Sequence, residues 1–214
     1  MLNHHLRLPS DPRPGTPLVA LLHGRGSDRD DLAGLADSLP PEAILAFPNA
    51  PFPAAPWGYG PGWAWYRFLG GATPEPESFE AGQAALEGWL DALVASLPVR
   101  PGPLIVGGFS QGGTSAIGYA LRNPGRVQGV LNWSGFVPEH PSVGVEPDRM
   151  RGLLVFWGHG VRDGNVPHPL AVAGRAALAG AGAVVTARDY PAGHTITIEE
   201  LADSAHWLTQ FTTA

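Results

Sequence analysis

The sequence contains no cysteine. Disulfides, zinc–thiolate sites and cysteine nucleophiles are therefore excluded together. Lysine is absent too, and all 13 basic side chains are arginine. Arginine favours planar contacts to anions, although a uniform codon preference accounts for the same bias. Against 19 acidic residues these leave a formal net charge of −6. Nucleic acid is not expected as a main partner, because phosphate binding needs a basic face. No run of 18 apolar residues occurs, so no membrane span is expected. The opening MLNHHLRLPSDPRPG lacks the apolar centre of a secretory signal, which makes a cytoplasmic location the default expectation.

The 214 residues are 44% hydrophobic, enough for a sizeable core. Short apolar runs bounded by Gly or Pro cover 18–22, 43–47, 104–109, 127–133, 153–157 and 183–190. Each has strand length and most are apolar on both faces, which suits a parallel sheet covered by helices. Helical patterns fill the gaps at 28–39, 77–97, 111–123, 169–179 and 198–211, with Ser27 as the expected N-cap of the first. The alternation predicts an α/β fold with a mostly parallel central sheet flanked by helices on both faces, in a single domain spanning 1–214. Residues 48–76, rich in Pro, Gly and aromatics, are too long for a routine connection and are expected to form a lid or pocket wall.

Within 104–121 stands Gly108-Phe109-Ser110-Gln111-Gly112, a G-x-S-x-G pattern. With 29 Gly and 10 Ser in the chain, about 0.2 such matches arise by chance, so the pattern alone is weak. Its context is stronger. A strand candidate precedes Ser110 and a helix candidate follows it, as a nucleophile elbow requires. Serine needs a base, a group orienting that base, and donors for an oxyanion.

Of the eight histidines, His4 and His5 lie near an expected exposed terminus, and His206 falls inside the last helix. His194 sits between the last strand and the final helix, the place for a base. Between Ser110 and His194 the aspartates are Asp148, Asp163 and Asp189. Asp163 directly follows a strand candidate and is the best placed acid. The oxyanion donors fall on the backbone N–H groups of Gln111 and of Arg25, the latter in the glycine-rich loop Leu21–Asp28. His23 in that loop reads as a buried residue that pins the loop by hydrogen bonds. All these loops follow strand candidates, so a parallel sheet gathers them at its carboxyl edge.

At these residues the chain resembles the phospholipase/carboxylesterase family of α/β-hydrolases, which includes acyl-protein thioesterases. The resemblance rests on HGRGSD (23–28), FPNAP (47–51), the Trp-containing stretch near 57–66, GFSQGG (108–113), HGVRDGNVP (159–167) and GHTITIEEL (193–201). It implies Ser110 as nucleophile, Asp163 as acid, His194 as base, and Arg25 and Gln111 as backbone oxyanion donors. Arg25 stands where many relatives carry an apolar residue. Its side chain either binds an anionic group or points to solvent. The expected activity is hydrolysis of small carboxylic esters or thioesters through an acyl-enzyme, without cofactor or metal, by a monomer or homodimer. Alternatives are a lysophospholipase or acyl-protein thioesterase, a dienelactone-hydrolase-like enzyme, although those usually use cysteine, or a non-catalytic binding module. Trp57, Trp63, Trp65 and Tyr66 are the expected substrate contacts.

Overall fold

The computed structural model describes residues 2–212. Seven strands form the main sheet: β1 His4–Arg7, β2 Leu18–Leu22, β3 Ile44–Pro48, β4 Leu104–Phe109, β5 Gly129–Trp133, β6 Leu154–Gly160 and β7 Val184–Tyr190. Their spatial order is β1-β3-β2-β4-β5-β6-β7. β1 runs antiparallel to β3, and every other pairing is parallel. Among the described residues, five α-helices accompany the sheet: α1 Arg29–Ala33, α2 Pro76–Ser96, α3 Gln111–Arg122, α4 His168–Gly180 and α5 Ile198–Leu208. None is long and apolar enough to cross a membrane.

The doubly apolar strands divide their side chains between two cores, because successive residues of a strand point to opposite faces. Leu18, Ala20 and Leu22 of β2 join one core with Phe79, Leu86 and Trp89 of α2 and Ile117 of α3. Val19 and Leu21 join the other, with Leu32 of α1, Trp207 and Leu208 of α5, and Phe211. The same split recurs in β6, where Val155 and Trp157 face one core and Phe156 the other. This is the two-sided sheet that the apolar runs predict.

Three local expectations need correction. The segment 28–39 is not one helix: α1 ends at the cap residue Gly34, and a separate 3-10 turn covers Ala36–Ser38. Its N-cap is Asp28, whose carboxylate accepts the Asp30 N–H at 2.9 Å. Ser27 instead pairs as an isolated β-bridge with Trp63, which takes its backbone out of a capping role. Finally, His4 is not at a loose end. β1 pairs with β3, and the His4 ring lies edge-on to Trp89 with centroids 5.7 Å apart; four residues are too few for a strand pattern to stand out in the sequence.

Residues 48–76 contain two short antiparallel ribbons, Phe52–Pro53 with Trp63–Ala64 and Phe68–Gly70 with Thr73–Pro74. The segment is thus ordered by its own backbone pairing.

Candidate active site

β2, β4, β6 and β7 are mutually parallel within one sheet, so their carboxyl ends share an edge. At the centre of that edge β4 ends at Phe109 and α3 begins at Gln111, leaving Ser110 alone to turn the chain. Its φ of 55° and ψ of −115° are disfavoured for a residue with a Cβ, a strain worth about 1–3 kcal/mol that the surroundings must hold. They do so through the Ser110 N–H, which donates to Trp133 O at 2.8 Å, and through Ser110 O, which accepts the Thr114 N–H at 3.0 Å. The flanking glycines are steric necessities. A Cβ on Gly108 would stand 2.2 Å from Leu22 O, and one on Gly112 2.0 Å from the same oxygen. α3 therefore starts in contact with the backbone of β2.

Ser110 Oγ lies 2.9 Å from His194 Nε2, and His194 Nδ1 lies 2.7 Å from Asp163 Oδ2. An ionised carboxylate only accepts, so the Nδ1 proton faces Asp163, and Nε2 is free to accept from the serine hydroxyl. Asp163 is held in turn: its Oδ1 accepts the N–H groups of Asn165 at 2.9 Å and Val166 at 2.8 Å. Burial alone would raise the Asp163 pKa, but the His194 contact and the two backbone donors outweigh it, and the carboxyl is held below its ordinary value. The His194 ring packs against Phe109, with centroids 4.7 Å apart. Its loop runs from β7 to α5, where Thr197 and Glu200 form a reciprocal capping box that defines the loop's end.

The early loop is pinned from below. His23 is buried; its Nδ1 bonds Gly24 O at 2.8 Å and its Nε2 accepts the Ala50 N–H at 3.0 Å. Desolvation lowers the His23 pKa, keeping the ring neutral. Gly26, at φ +82°, lies so close to Tyr59 that a Cβ would come within 2.0 Å of Tyr59 O. Its N–H donates to Trp63 O at 2.8 Å. The Gln111 N–H is the first of α3 and has no partner inside the helix. The Arg25 N–H bonds no backbone carbonyl among the described residues. Both residues line, with Ser110 and His194, a cavity of about 230 Å³.

The aromatic segment meets this cavity differently from the expectation. Tyr66 lines it, but Trp57, Trp63 and Trp65 do not. Trp65 is fully buried and braces the early loop, its indole N–H donating to His23 O at 3.0 Å. Trp63 pairs its backbone with Ser27 and Gly26. Trp57 lies between Phe52 and Tyr59, tilted against the first ring and edge-on to the second. Large rings in this segment are used to fold it onto the sheet, and a residue count cannot tell brace from wall. The apolar wall is instead Phe68, Phe136, Val166 and Leu170. Phe68 and Phe136 are foreshadowed only by lying in the aromatic segment and just after a strand.

A further link was invisible in the sequence. The Gln111 side chain accepts the Trp65 N–H at 2.8 Å and donates to Tyr66 O at 2.8 Å. One buried amide thus ties the serine turn to the pocket wall 45 residues upstream.

A parallel sheet with a strained serine between a central strand and its helix defines an α/β-hydrolase. The sequence matches the family model described as Phospholipase/Carboxylesterase over residues 3–212, and the chain belongs to that family. It is 34% identical over 139 residues to a rice protein (Oryza sativa subsp. japonica) named "Probable carboxylesterase", covering 64% of this chain and 58% of that one. It is 27% identical over 169 residues to acyl-protein thioesterase 1 of Cryptococcus neoformans, covering 74% and 71%. The Bacillus cereus carboxylesterase structure superposes with a TM-score of 0.85 at 21% identity, covering 99% of this chain and 95% of that one.

Proposed function

We propose that the protein is a serine hydrolase of small carboxylic esters, acting as one domain with residues 48–76 as its pocket wall. The observation that carries this reading is the unbroken contact chain Ser110 Oγ–His194 Nε2 and His194 Nδ1–Asp163 Oδ2 beside a cavity. Ser110 attacks the ester carbonyl carbon while His194 Nε2 takes its proton. Asp163 keeps the imidazole in the productive tautomer and stabilises it when charged. The N–H groups of Arg25 and Gln111 receive the developing oxyanion. His194 then protonates the departing alcohol, and the Ser110 acyl ester remains. Water, deprotonated by His194, attacks that ester and releases the acid. His194 returns the proton to Ser110 Oγ as the acyl ester breaks, so the cycle closes with one water consumed.

A thioester substrate is the second reading. It is favoured by the apolar wall of Phe68, Phe136, Val166 and Leu170, which suits an acyl chain, and by the similarity to a protein named acyl-protein thioesterase. A panel of p-nitrophenyl esters of increasing chain length, run beside acyl-CoA thioesters, separates the two. Ser110→Ala should lower turnover on the order of 10⁶-fold with an unchanged thermal midpoint. A Ser110→Ala variant that kept most of its esterase activity would sink the assignment, as would failure of a fluorophosphonate probe to label Ser110.

A further inference from the structure

Among the described residues, nine of the 13 arginines meet a carboxylate within 4 Å. Arg25 meets none of these, although it stands at the cavity. Its guanidinium lies over the Tyr59 ring, 4.5 Å from the centroid, and 5.8 Å from the centroid of Phe68. Stacking on an aromatic face fixes a guanidinium without using its N–H donors. Arg25 is exposed, and among the described residues its side chain donates no hydrogen bond, so a full fork of donors is oriented at the rim of the site and open to a ligand or to water. Tyr59 is itself held, since its hydroxyl accepts the Phe68 N–H at 2.9 Å. The perch is therefore built into the fold.

The charges around it are few. Of the ionisable side chains that line the cavity, Arg25 is the cation, and Asp31, exposed on α1, is the carboxylate on the opposite side of the balance. The remainder of the wall is apolar or polar without a further carboxylate or guanidinium. The cavity is small, at about 230 Å³, so a ligand that reaches both Ser110 and Arg25 is short.

We propose that Arg25 selects esters carrying a second, ionised carboxylate, such as hemiesters of short dicarboxylic acids. The guanidinium fork receives the free carboxylate while Ser110 addresses the ester carbonyl. This inference rests on the hydrolase reading of Ser110 and sharpens its substrate class. The side chain does not touch the reacting atoms, so its contribution appears in KM more than in kcat.

The test compares monoethyl glutarate with its neutral amide analogue, ethyl glutaramate, by the ratio of their kcat/KM values. The wild type should favour the charged ester about 10-fold or more, as charge-assisted hydrogen bonds in a pocket allow. Arg25→Met should bring the ratio close to one, whatever it does to the neutral ester. Arg25→Lys should keep part of the preference, and Asp31→Asn should increase it. A wild-type ratio near one, or a ratio that Arg25→Met leaves unchanged, overturns the inference. Binding of monoethyl glutarate to Ser110→Ala, followed by calorimetry, isolates the two claims: affinity should fall about 10-fold when Arg25→Met is added. Turnover without charge preference defeats the Arg25 assignment alone. Arg25-dependent binding without any turnover by the Ser110-intact protein defeats the hydrolase reading alone.

Discussion

At the scale of single residues, the consequential feature is how few alternatives each polar atom of the site has. Asp163 spends Oδ1 on two backbone donors and Oδ2 on His194. Asp163→Asn keeps the size but offers an N–H to His194 Nδ1, which drives the imidazole into the tautomer whose Nε2 can no longer accept from Ser110. The expected loss in kcat is about 10⁴-fold, measured on a p-nitrophenyl ester, with little change in thermal midpoint. Gln111 is as constrained, with both amide atoms paired in a buried setting. Gln111→Leu would strand the Trp65 N–H and the Tyr66 carbonyl. It should cost about 2–4 kcal/mol of stability in chemical denaturation. Chain order together with position after a strand singles out Ser110, Asp163 and His194 in the sequence, and the fold brings these residues within hydrogen-bond reach. The Gln111 clamp has no such signature, because nothing in a glutamine beside a serine says which distant amides it meets.

At the scale of elements, the strand–turn–helix around Ser110 depends on two backbones touching. Gly112→Ala would set a methyl 2.0 Å from Leu22 O. Neither the strand nor the helix start can retreat without breaking the sheet, so a loss of about 3 kcal/mol or more is expected, read as a fall of roughly 6–12 °C in Tm. The capping box at α5 carries a different tension. Glu200 is buried against β6, and desolvation raises its pKa from 4.5 to about 7. A carboxyl whose folded pKa is raised costs stability as pH climbs through the window from about 4.5 to 7, where the folded state holds the proton that the unfolded chain releases. Glu200→Gln keeps the capping geometry without the charge. It should match the wild type near pH 4 and exceed it by up to about 3 kcal/mol at pH 8, measured by urea unfolding at both pH values.

At the scale of the whole molecule, burial pushes three histidines, His23, His159 and the half-buried His140, toward the neutral form. Desolvation lowers the pKa of His23, His140 and His159 below 6.5. For each, the unfolded chain takes up a proton first as pH falls, so stability present above pH 6.5 is lost progressively below it. Glu200 works in the opposite direction over part of that window. On lowering the pH from 7 to 5, Glu200→Gln should therefore lose more stability, or gain less, than the wild type, because only the wild type is stabilised by protonating Glu200. Thermal midpoints that change equally with pH in the two proteins would contradict this. His159 Nε2 bonds Val166 O at 2.9 Å and lies 3.5 Å from Asp163 Oδ2.

The sequence by itself determined the parallel part of the sheet, because runs such as LVALL and LIVGGF are apolar on both faces and suit a covered parallel sheet; the antiparallel edge strand β1 was too short to show. It also determined which loops share an edge, since strand polarity follows from the alternation of strands and helices. What only the tertiary structure decided lies in contacts between segments distant along the chain. These are the brace made by Trp65 on His23, the clamp from Gln111 to the 65–66 backbone, the wall built from Phe68, Phe136, Val166 and Leu170, and the seat of Arg25 over Tyr59. The physical reason is that burial patterns are periodic and local, so a sequence displays them. The direction in which an aromatic or amide side chain is spent depends on neighbours that folding alone supplies.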